Sequence, residues 1–334
     1  MYEIGISRDF LNGRGEIAWG DIGLSRIEAD PRLRHRMIGD GDVAENFAGF
    51  DAVLVLRQRI DQKLLDAAPR LRHVSRWGAG LDRIDLDACT RAGVMVTSTP
   101  LGGKVPVAVA ALTFVLTLTH RVLEKDRLVR EGRWAERADY MGMGLAGRTI
   151  GIVGLGNIGR EFARLAAPFQ ARLAAYSPRA EKAQADALGV ELVGLDQLME
   201  RSDIVVVTAA LTPATQGMIS AERIARMKPG CIFVNVARGE IVDEDALIAA
   251  LKSGRIARAG LDVFREEPLA PSSPLMRMDN VLLAPHALAW TDQIISGNAV
   301  DAIGSLLSVA ANKRPGFIAN PQVLDHPRFA DMSS

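Results

Sequence analysis

The stretch TIGIVGLGNIGREFARLAA, residues 149–167, decides the fold of this chain. It begins with an apolar run typical of a buried strand, passes through Gly154, Gly156 and Gly159, and ends in a helical pattern. In a strand–turn–helix unit, the first glycine of such a set permits a tight turn and the third lets helix and strand pack closely. The second lets a pyrophosphate approach the backbone, so the stretch predicts a dinucleotide-binding turn.

The residues around this turn also concern the cofactor. At the start of the helix, the N–H groups of Asn157 and Ile158 are predicted to point at the pyrophosphate. About 20 residues further on, such a unit usually carries an acidic residue for the adenosine ribose, and here Ser177, Pro178 and Arg179 stand at that place. A carboxylate would repel the 2′-phosphate of NADP, whereas Ser177 can donate a hydrogen bond to it and Arg179 can pair with it. The pattern therefore predicts NAD(P)(H) with a preference for NADP(H), the alternative being an Arg179 that never contacts cofactor.

Apolar runs on both sides of this turn predict two parallel sheets covered by helices, an α/β architecture. The first hundred residues contain four predicted strands, in YEIGIS, DAVLVL, LRHVSRWG and VMVTSTP. The second series contains six, in TIGIVG, ARLAAYS, DIVVVTA, CIFVNVA, RAGLDVF and NVLLAPH. The second sheet is therefore predicted to be the larger of the two.

The chain is predicted to cross between its two sheets twice. An apolar helical segment near Pro106 leads from the first series into the second, and a helix with Thr291 as its N-cap leads back. We therefore predict a substrate domain from residues 1–103 and 290–334. The dinucleotide-binding domain is predicted to span residues 104–289.

The composition restricts the partners and the compartment. Forty basic residues balance forty acidic ones in the 334-residue chain. The formal net charge is therefore zero, and we expect no overall positive potential that would attract nucleic acid or an anionic membrane. Cys89 and Cys231 belong to no metal-ligand or CxxC spacing, and we expect both to be reduced and no metal to be bound. The apolar stretch 105–119 is shorter than the ~20 residues that cross a bilayer. No secretory signal is visible in MYEIGISRDF, so a cytoplasmic location is expected.

Three segments at predicted strand ends carry reactive side chains. VNVARGEIVDEDAL contains Arg238, GLDVFREEP contains Asp262 and Glu267, and LLAPHALAWT contains His286. Together with the glycine turn, and over nearly the whole chain, these segments resemble the D-isomer-specific 2-hydroxyacid dehydrogenases. The resemblance implies a Rossmann-type doubly wound NAD(P)-binding domain inserted into a flavodoxin-like α/β substrate domain. It also implies hydride transfer between NAD(P)H and a small 2-oxo acid, such as glyoxylate or hydroxypyruvate.

The resemblance also implies a role for each reactive side chain. His286 would exchange the proton of the carbonyl oxygen, because imidazole changes its charge near neutral pH. Glu267 would orient the ring and stabilise its charged form, while Glu266 would point to the opposite side of an extended segment. Arg238 would hold the substrate carboxylate and polarise the 2-oxo group with its planar fork.

Further site residues follow from the same resemblance. The loop RWGAGLDRID would bind the substrate carboxylate through the N–H groups of Gly78, Ala79 and Gly80, the alternative being an ordinary turn. The remaining implied cofactor contacts come from Val107, Thr208, Thr212, Val236, Ala237 and Asp262. For Asp262, which would contact the nicotinamide carboxamide, a structural hydrogen bond is the alternative. Two positions depart from the family pattern: Val109 stands where a glutamate is frequent, and TAALTP replaces H-x-P-L-T-P.

Other functions stay open at this stage. A nicotinamide-sensing, corepressor-like binding protein would keep the fold without turnover, and a phosphoglycerate dehydrogenase would keep the chemistry with another substrate. A formate dehydrogenase is disfavoured because those relatives pair the histidine with glutamine rather than with an acid such as Glu267. The resemblance and the projecting arm 105–144 predict a homodimer. Trp290 would either wall the substrate pocket or pack as an interface aromatic.

Overall fold

A computed structural model of the chain describes residues 1–41 and 43–333. The chain divides into two compact units, and one of them is built from two separate segments. The first unit comprises Met1–Gly103 and Trp290–Ser334, and the second comprises Lys104–Ala289.

Two parallel sheets organise the two units. The strands are β1 Tyr2–Ile6, β2 Leu33–Met37, β3 Ala52–Val55, β4 His73–Arg76, β5 Met95–Thr97, β6 Thr149–Val153, β7 Arg172–Tyr176, β8 Val190–Leu192, β9 Ile204–Val207, β10 Cys231–Asn235, β11 Ile256–Leu261 and β12 Val281–Leu283. The α-helices are α1 Leu24–Glu28, α2 Gln62–Ala67, α3 Leu86–Arg91, α4 Lys104–His120, α5 Val122–Arg130, α6 Asn157–Ala166, α7 Lys182–Ala187, α8 Leu195–Arg201, α9 Ala221–Arg226, α10 Glu244–Lys252 and α11 Asp292–Ala310.

The first unit contains a five-stranded parallel sheet in the order β2-β1-β3-β4-β5. This is the flavodoxin-like strand order. Its edge strand β2 is absent from the sequence prediction because three of its five residues are Arg34, His35 and Arg36, which hide the apolar pattern. Basic side chains on an edge strand oppose pairing with another chain, so this polarity suits its position.

The second unit contains a seven-stranded parallel sheet in the order β12-β11-β10-β9-β6-β7-β8. This is the doubly wound order of dinucleotide-binding domains, and the predicted fold class is confirmed. The sequence analysis missed β8, which has only three residues and is an edge strand of this sheet. Strands β6 and β9 are neighbours in the sheet although β7 and β8 lie between them in the chain, so the strand order reverses there. In open α/β sheets, ligands bind beside such a reversal at the carboxyl ends of the strands.

The most apolar helix, α4, is a core helix of the second unit. Phe114 on this helix is 1% exposed, and a side chain at Gly260 of β11 would approach the Phe114 ring to 2.7 Å. The absence of a side chain at Gly260 therefore lets α4 lie close to the sheet. Within the described residues, no single helix is long and apolar enough to span a membrane. The pair Lys104–His120 and Val122–Arg130 meets that criterion only when taken together, and it bends by 54°.

Candidate active site

The glycine turn after β6 closes tightly on itself. Gly154 has a φ of 99°, and a side chain there would meet the Ala209 Cα atom at 2.6 Å. A side chain at Gly159 would overlap the carbonyl oxygen of Gly154. At Gly156, in contrast, a Cβ atom would meet nothing within 4 Å. Two of the glycines are thus needed for packing, and the third borders open space.

That open space lies at the start of α6. The N–H groups of Asn157 and Ile158 donate to no other residue in the part of the chain that is described. The N-terminus of a ten-residue helix also carries a partial positive charge. The turn therefore offers the room and the donors that a pyrophosphate requires, and these residues fit a dinucleotide.

The adenosine end of such a cofactor would lie after β7, which ends at Tyr176. Ser177 follows directly, and its carbonyl oxygen accepts a hydrogen bond from Ala180 N at 3.0 Å. Arg179 is exposed on this turn and is paired with no described residue. A cation and a hydroxyl, without a carboxylate at position 177, therefore border the place where a ribose would bind.

The other predicted cofactor residues lie on several elements of the second unit. Thr208 directly follows β9, and its hydroxyl donates to Gly154 O at 2.7 Å, which links the ends of β9 and β6. The Thr212 N–H donates to the Thr215 hydroxyl at 2.8 Å and shapes the turn after β9. Val236 and Ala237 are buried directly after β10, and Val107 is partly buried on α4.

His286 and Glu267 form the central pair of the site. The Nδ1 atom of His286 lies 2.8 Å from Oε2 of Glu267, while Oε1 of the same carboxylate accepts from Phe264 N at 3.2 Å. Both carboxylate oxygens are thus engaged, which fixes the orientation of the imidazole ring. Glu266, its neighbour, is exposed. The structure therefore places Glu267, and not Glu266, against the histidine.

The backbone at His286 adopts a conformation that needs support. Its φ of 55° lies in the left-handed region, which non-glycine residues rarely occupy. Oδ1 of Asp262 accepts hydrogen bonds from the next two N–H groups, Ala287 N at 2.9 Å and Leu288 N at 3.1 Å. Asp262 is 5% exposed, and burial raises the pKa of its carboxyl group. Asp262 thus stabilises the loop that carries the histidine, which is the structural alternative considered for this residue.

Arg238 lies just beyond the carboxyl end of β10, on a segment shaped by Asn235. The buried Asn235 side chain accepts from Ala237 N and donates to Arg238 O, both at 3.0 Å. Next to the arginine, Gly239 packs so closely on the backbone of Phe264 that any side chain at this glycine would overlap it. The Arg238 segment and the segment leading to Glu267 therefore lie against each other.

The predicted substrate loop belongs to the first unit, directly after β4. Gly78 has a φ of 124°, and its N–H donates to the Thr99 hydroxyl at 2.7 Å. Ala79 N and Gly80 N donate to no other residue within the described ranges. Of the three N–H groups predicted to face a carboxylate, that of Gly78 is therefore already engaged, and the other two have no partner among the described residues.

Sequence reasoning missed Asn235, Gly239 and Thr99. Gly239 was visible as the residue directly after Arg238, and Asn235 as a polar residue ending an apolar strand. Thr99 carries no sequence pattern that links it to Gly78. Trp290 is half-exposed and packs edge-on against Trp19, with 4.8 Å between ring centroids.

Comparison with known proteins assigns the chain to a family. Residues 112–287 match the family model described as D-isomer specific 2-hydroxyacid dehydrogenase, NAD binding domain. The fold and the site define a nicotinamide-dependent oxidoreductase. More particularly, the chain belongs to the D-isomer-specific 2-hydroxyacid dehydrogenase family and is an NAD(P)-dependent enzyme of that class.

Individual relatives agree with this family. A glyoxylate reductase from Pyrococcus furiosus is 40% identical over 306 residues, which are 89% of this chain and 90% of that protein. A D-3-phosphoglycerate dehydrogenase from Archaeoglobus fulgidus is 39% identical over 72% of this chain, but only 46% of that longer protein is covered. The match thus spans about half the length of that phosphoglycerate dehydrogenase. The crystal structure of a glyoxylate reductase from Paecilomyes thermophila matches with a TM-score of 0.82 at 26% identity, covering 96% of this chain and 99% of that one.

Proposed function

We propose that this enzyme reduces glyoxylate or hydroxypyruvate and uses NADPH in preference to NADH. The observation that carries the proposal is the His286–Glu267 pair, joined at 2.8 Å at the carboxyl ends of a doubly wound sheet. Because Nδ1 of His286 is engaged by the carboxylate, Nε2 is the nitrogen left to act on a substrate. The 40% identity to a glyoxylate reductase supports the choice of a small 2-oxo acid.

The proton transfer belongs to His286. When bound, the nicotinamide supplies a hydride to the carbonyl carbon of the substrate. The Nε2–H of the charged imidazole gives its proton to the carbonyl oxygen, which becomes the hydroxyl group. The Glu267 carboxylate stabilises the charged ring before this step, and solvent returns the proton afterwards.

Two elements would hold the substrate itself. Arg238 offers a planar set of donors that binds a carboxylate and withdraws electron density from the adjacent 2-oxo group. The loop of the first unit adds the N–H groups of Ala79 and Gly80 as donors to the carboxylate. A short substrate such as glyoxylate has only a carboxylate and a carbonyl group, and both are recognised by these contacts.

The test is a panel of 2-oxo acids, each assayed with NADPH and with NADH at matched concentrations. Glyoxylate and hydroxypyruvate should give the highest kcat/KM. Equal or higher kcat/KM on 3-phosphohydroxypyruvate would favour phosphoglycerate dehydrogenase, the second candidate, which the 39% identity to such an enzyme supports. The corepressor-like alternative predicts cofactor-dependent self-association without turnover on any acid.

We expect Ser177→Asp to shift the cofactor preference toward NADH. The new carboxylate would repel the 2′-phosphate of NADPH and accept hydrogen bonds from the ribose hydroxyls of NADH. The ratio of kcat/KM for NADPH to that for NADH should fall about 10- to 100-fold, as expected for one charged hydrogen bond of about 1–3 kcal/mol. Ser177→Ala is the control, because it removes the hydroxyl without adding charge. An unchanged ratio in Ser177→Asp would exclude position 177 as the determinant.

We infer that the enzyme is a homodimer formed through the second unit. Exposed apolar side chains are concentrated on α5 and the segment after it, where they would otherwise face water: Val122, Leu123, Val129, Trp134 and Met141. Such a concentration is typical of a surface that another chain covers. Light scattering at micromolar concentration should give twice the mass of one chain, and the mass of a single chain would contradict the inference.

A further inference from the structure

A line of buried polar side chains joins α11 to the sheet of the first unit. Asn298 and Ser305 are seven residues apart, two helical turns, and therefore lie on the same face of α11. Ser305 accepts a hydrogen bond from the Thr97 hydroxyl at 2.9 Å and lies 3.1 Å from the Ser75 hydroxyl. Asn298 accepts from the Thr99 hydroxyl at 2.8 Å. Because buried polar groups must be paired, these contacts allow only one register of the helix on the sheet.

The two ends of this line of polar side chains contact different parts of the first unit. At the inner end, the Thr97 hydroxyl donates to Ser305 and so accepts from Nε2 of His73, 2.9 Å away. Burial lowers the pKa of His73 to about 3, so this end is uncharged near neutral pH. The inner end therefore terminates inside the sheet, at the buried His73.

The outer end terminates on the substrate loop. The Thr99 hydroxyl accepts from Gly78 N at 2.7 Å while it donates to Asn298, and the Thr99 N–H donates to Gly78 O at 3.1 Å. Gly78 is thus held through both its N–H and its carbonyl group. Thr99 is 1% exposed and Asn298 is 3% exposed, so water does not compete for these bonds.

Two glycines allow the segment from Thr99 to Gly102 to lie close enough to α11 for the hydrogen bond between Thr99 and Asn298. A side chain at Gly102 would overlap the Asn298 side chain, and a side chain at Gly297 would lie 2.9 Å from the Gly102 Cα atom. The backbone at Gly102 therefore lies closer to α11 than a residue with a side chain would allow. The Thr99–Asn298 bond depends on this approach.

We propose that Thr99 and Asn298 are positioning residues that hold Gly78 so that the next two N–H groups, those of Ala79 and Gly80, bind the substrate carboxylate. The inference rests on the proposed role of this loop in substrate binding. It restricts that role to two donors, because the third is bonded to Thr99. With Gly78 fixed, the two donors need not be ordered when substrate arrives, and preorganised donors bind more tightly.

The kinetic test compares Thr99→Val with two controls. Valine has nearly the same shape as threonine but no hydroxyl, so the variant leaves Gly78 N and Asn298 without their partner. The KM for glyoxylate should rise about tenfold, equivalent to about 1.4 kcal/mol, with kcat changed much less and the KM for NADPH unchanged. Thr99→Ser keeps the hydroxyl and should restore the wild-type KM. Ser305→Ala disrupts only the inner end of the line and should leave the KM for glyoxylate unchanged.

A second measurement needs neither the variant nor turnover. In the wild-type enzyme with 15N-labelled glycine and alanine, the Gly78 amide should exchange with solvent more slowly than those of Ala79 and Gly80. Oxamate, an unreactive 2-oxo acid analogue, should then slow the exchange of Ala79 and Gly80 when added with NADPH. Fast exchange at Gly78, or an unchanged KM in a folded Thr99→Val enzyme, would overturn the proposal. Absence of turnover on every acid would instead reject the proposed function, while slow exchange at Gly78 would still establish the Thr99 contact.

Discussion

His286→Ala is expected to lower kcat/KM for glyoxylate by about 100- to 10,000-fold with NADPH binding unchanged. Without the imidazole, no positioned acid is available for the carbonyl oxygen, and water must supply the proton to a charge that is already forming. In the proposed role Nε2 is the nitrogen that gives the proton, because Nδ1 lies 2.8 Å from the Glu267 carboxylate. The proposed cofactor turn consists of other residues, so the loss should appear in turnover and not in the dissociation constant of NADPH.

Glu267 and Glu266 provide a matched pair for this prediction. Glu267→Gln keeps the size of the side chain but removes the charge that stabilises the imidazolium, and kcat/KM should fall about 10- to 100-fold, as for the loss of a charged hydrogen bond. Glu266→Gln makes the same chemical change on the exposed neighbour and should leave kcat/KM unaltered. Equal effects of the two substitutions would show that the carboxylate against the ring has no special role. Full activity in His286→Ala would reject the histidine as the acid.

The sequence was sufficient for the parts of this site that depend on local pattern. The glycine turn, the helix start at Asn157 and the strand ends carrying Arg238 and His286 each follow from a few consecutive residues. Parallel strands bring their carboxyl ends to one edge, so a strand prediction also predicts which side chains gather there. The two missed strands have a local cause as well, since β2 is rich in basic residues and β8 has only three residues.

Contacts between distant residues could not be predicted in this way. Thr99 and Asn298 are 199 positions apart, and neither residue type is unusual in its segment. Gly78 was predicted from its motif, but the motif does not reveal that its N–H is already bonded to Thr99. The same holds for Asp262: the sequence shows an acid at the end of an apolar strand, whereas its two hydrogen bonds to the N–H groups after His286 depend on the fold.

Arg238→Leu is expected to lower kcat/KM for glyoxylate by about 100- to 1,000-fold, the loss that follows removal of a donor to a developing oxyanion. Leucine fills most of the volume of the arginine stem but cannot bind the carboxylate or withdraw density from the 2-oxo group. Both KM and kcat should therefore change. Steady-state kinetics with glyoxylate varied at saturating NADPH would measure the two separately.

The size of the loss should depend on geometry as well as on charge. Arg238→Lys keeps the positive charge but replaces the planar fork by a single ammonium group, so its kcat/KM should lie between those of wild type and Arg238→Leu. Arg265→Leu is the control for a lost arginine in the same unit, because Arg265 is exposed and pairs with Asp245 at 2.8 Å. If Arg238→Leu retained wild-type kcat/KM, Arg238 would not be the residue that holds the substrate carboxylate. In that case the segment that Asn235 and Gly239 hold in place would have no part in substrate binding.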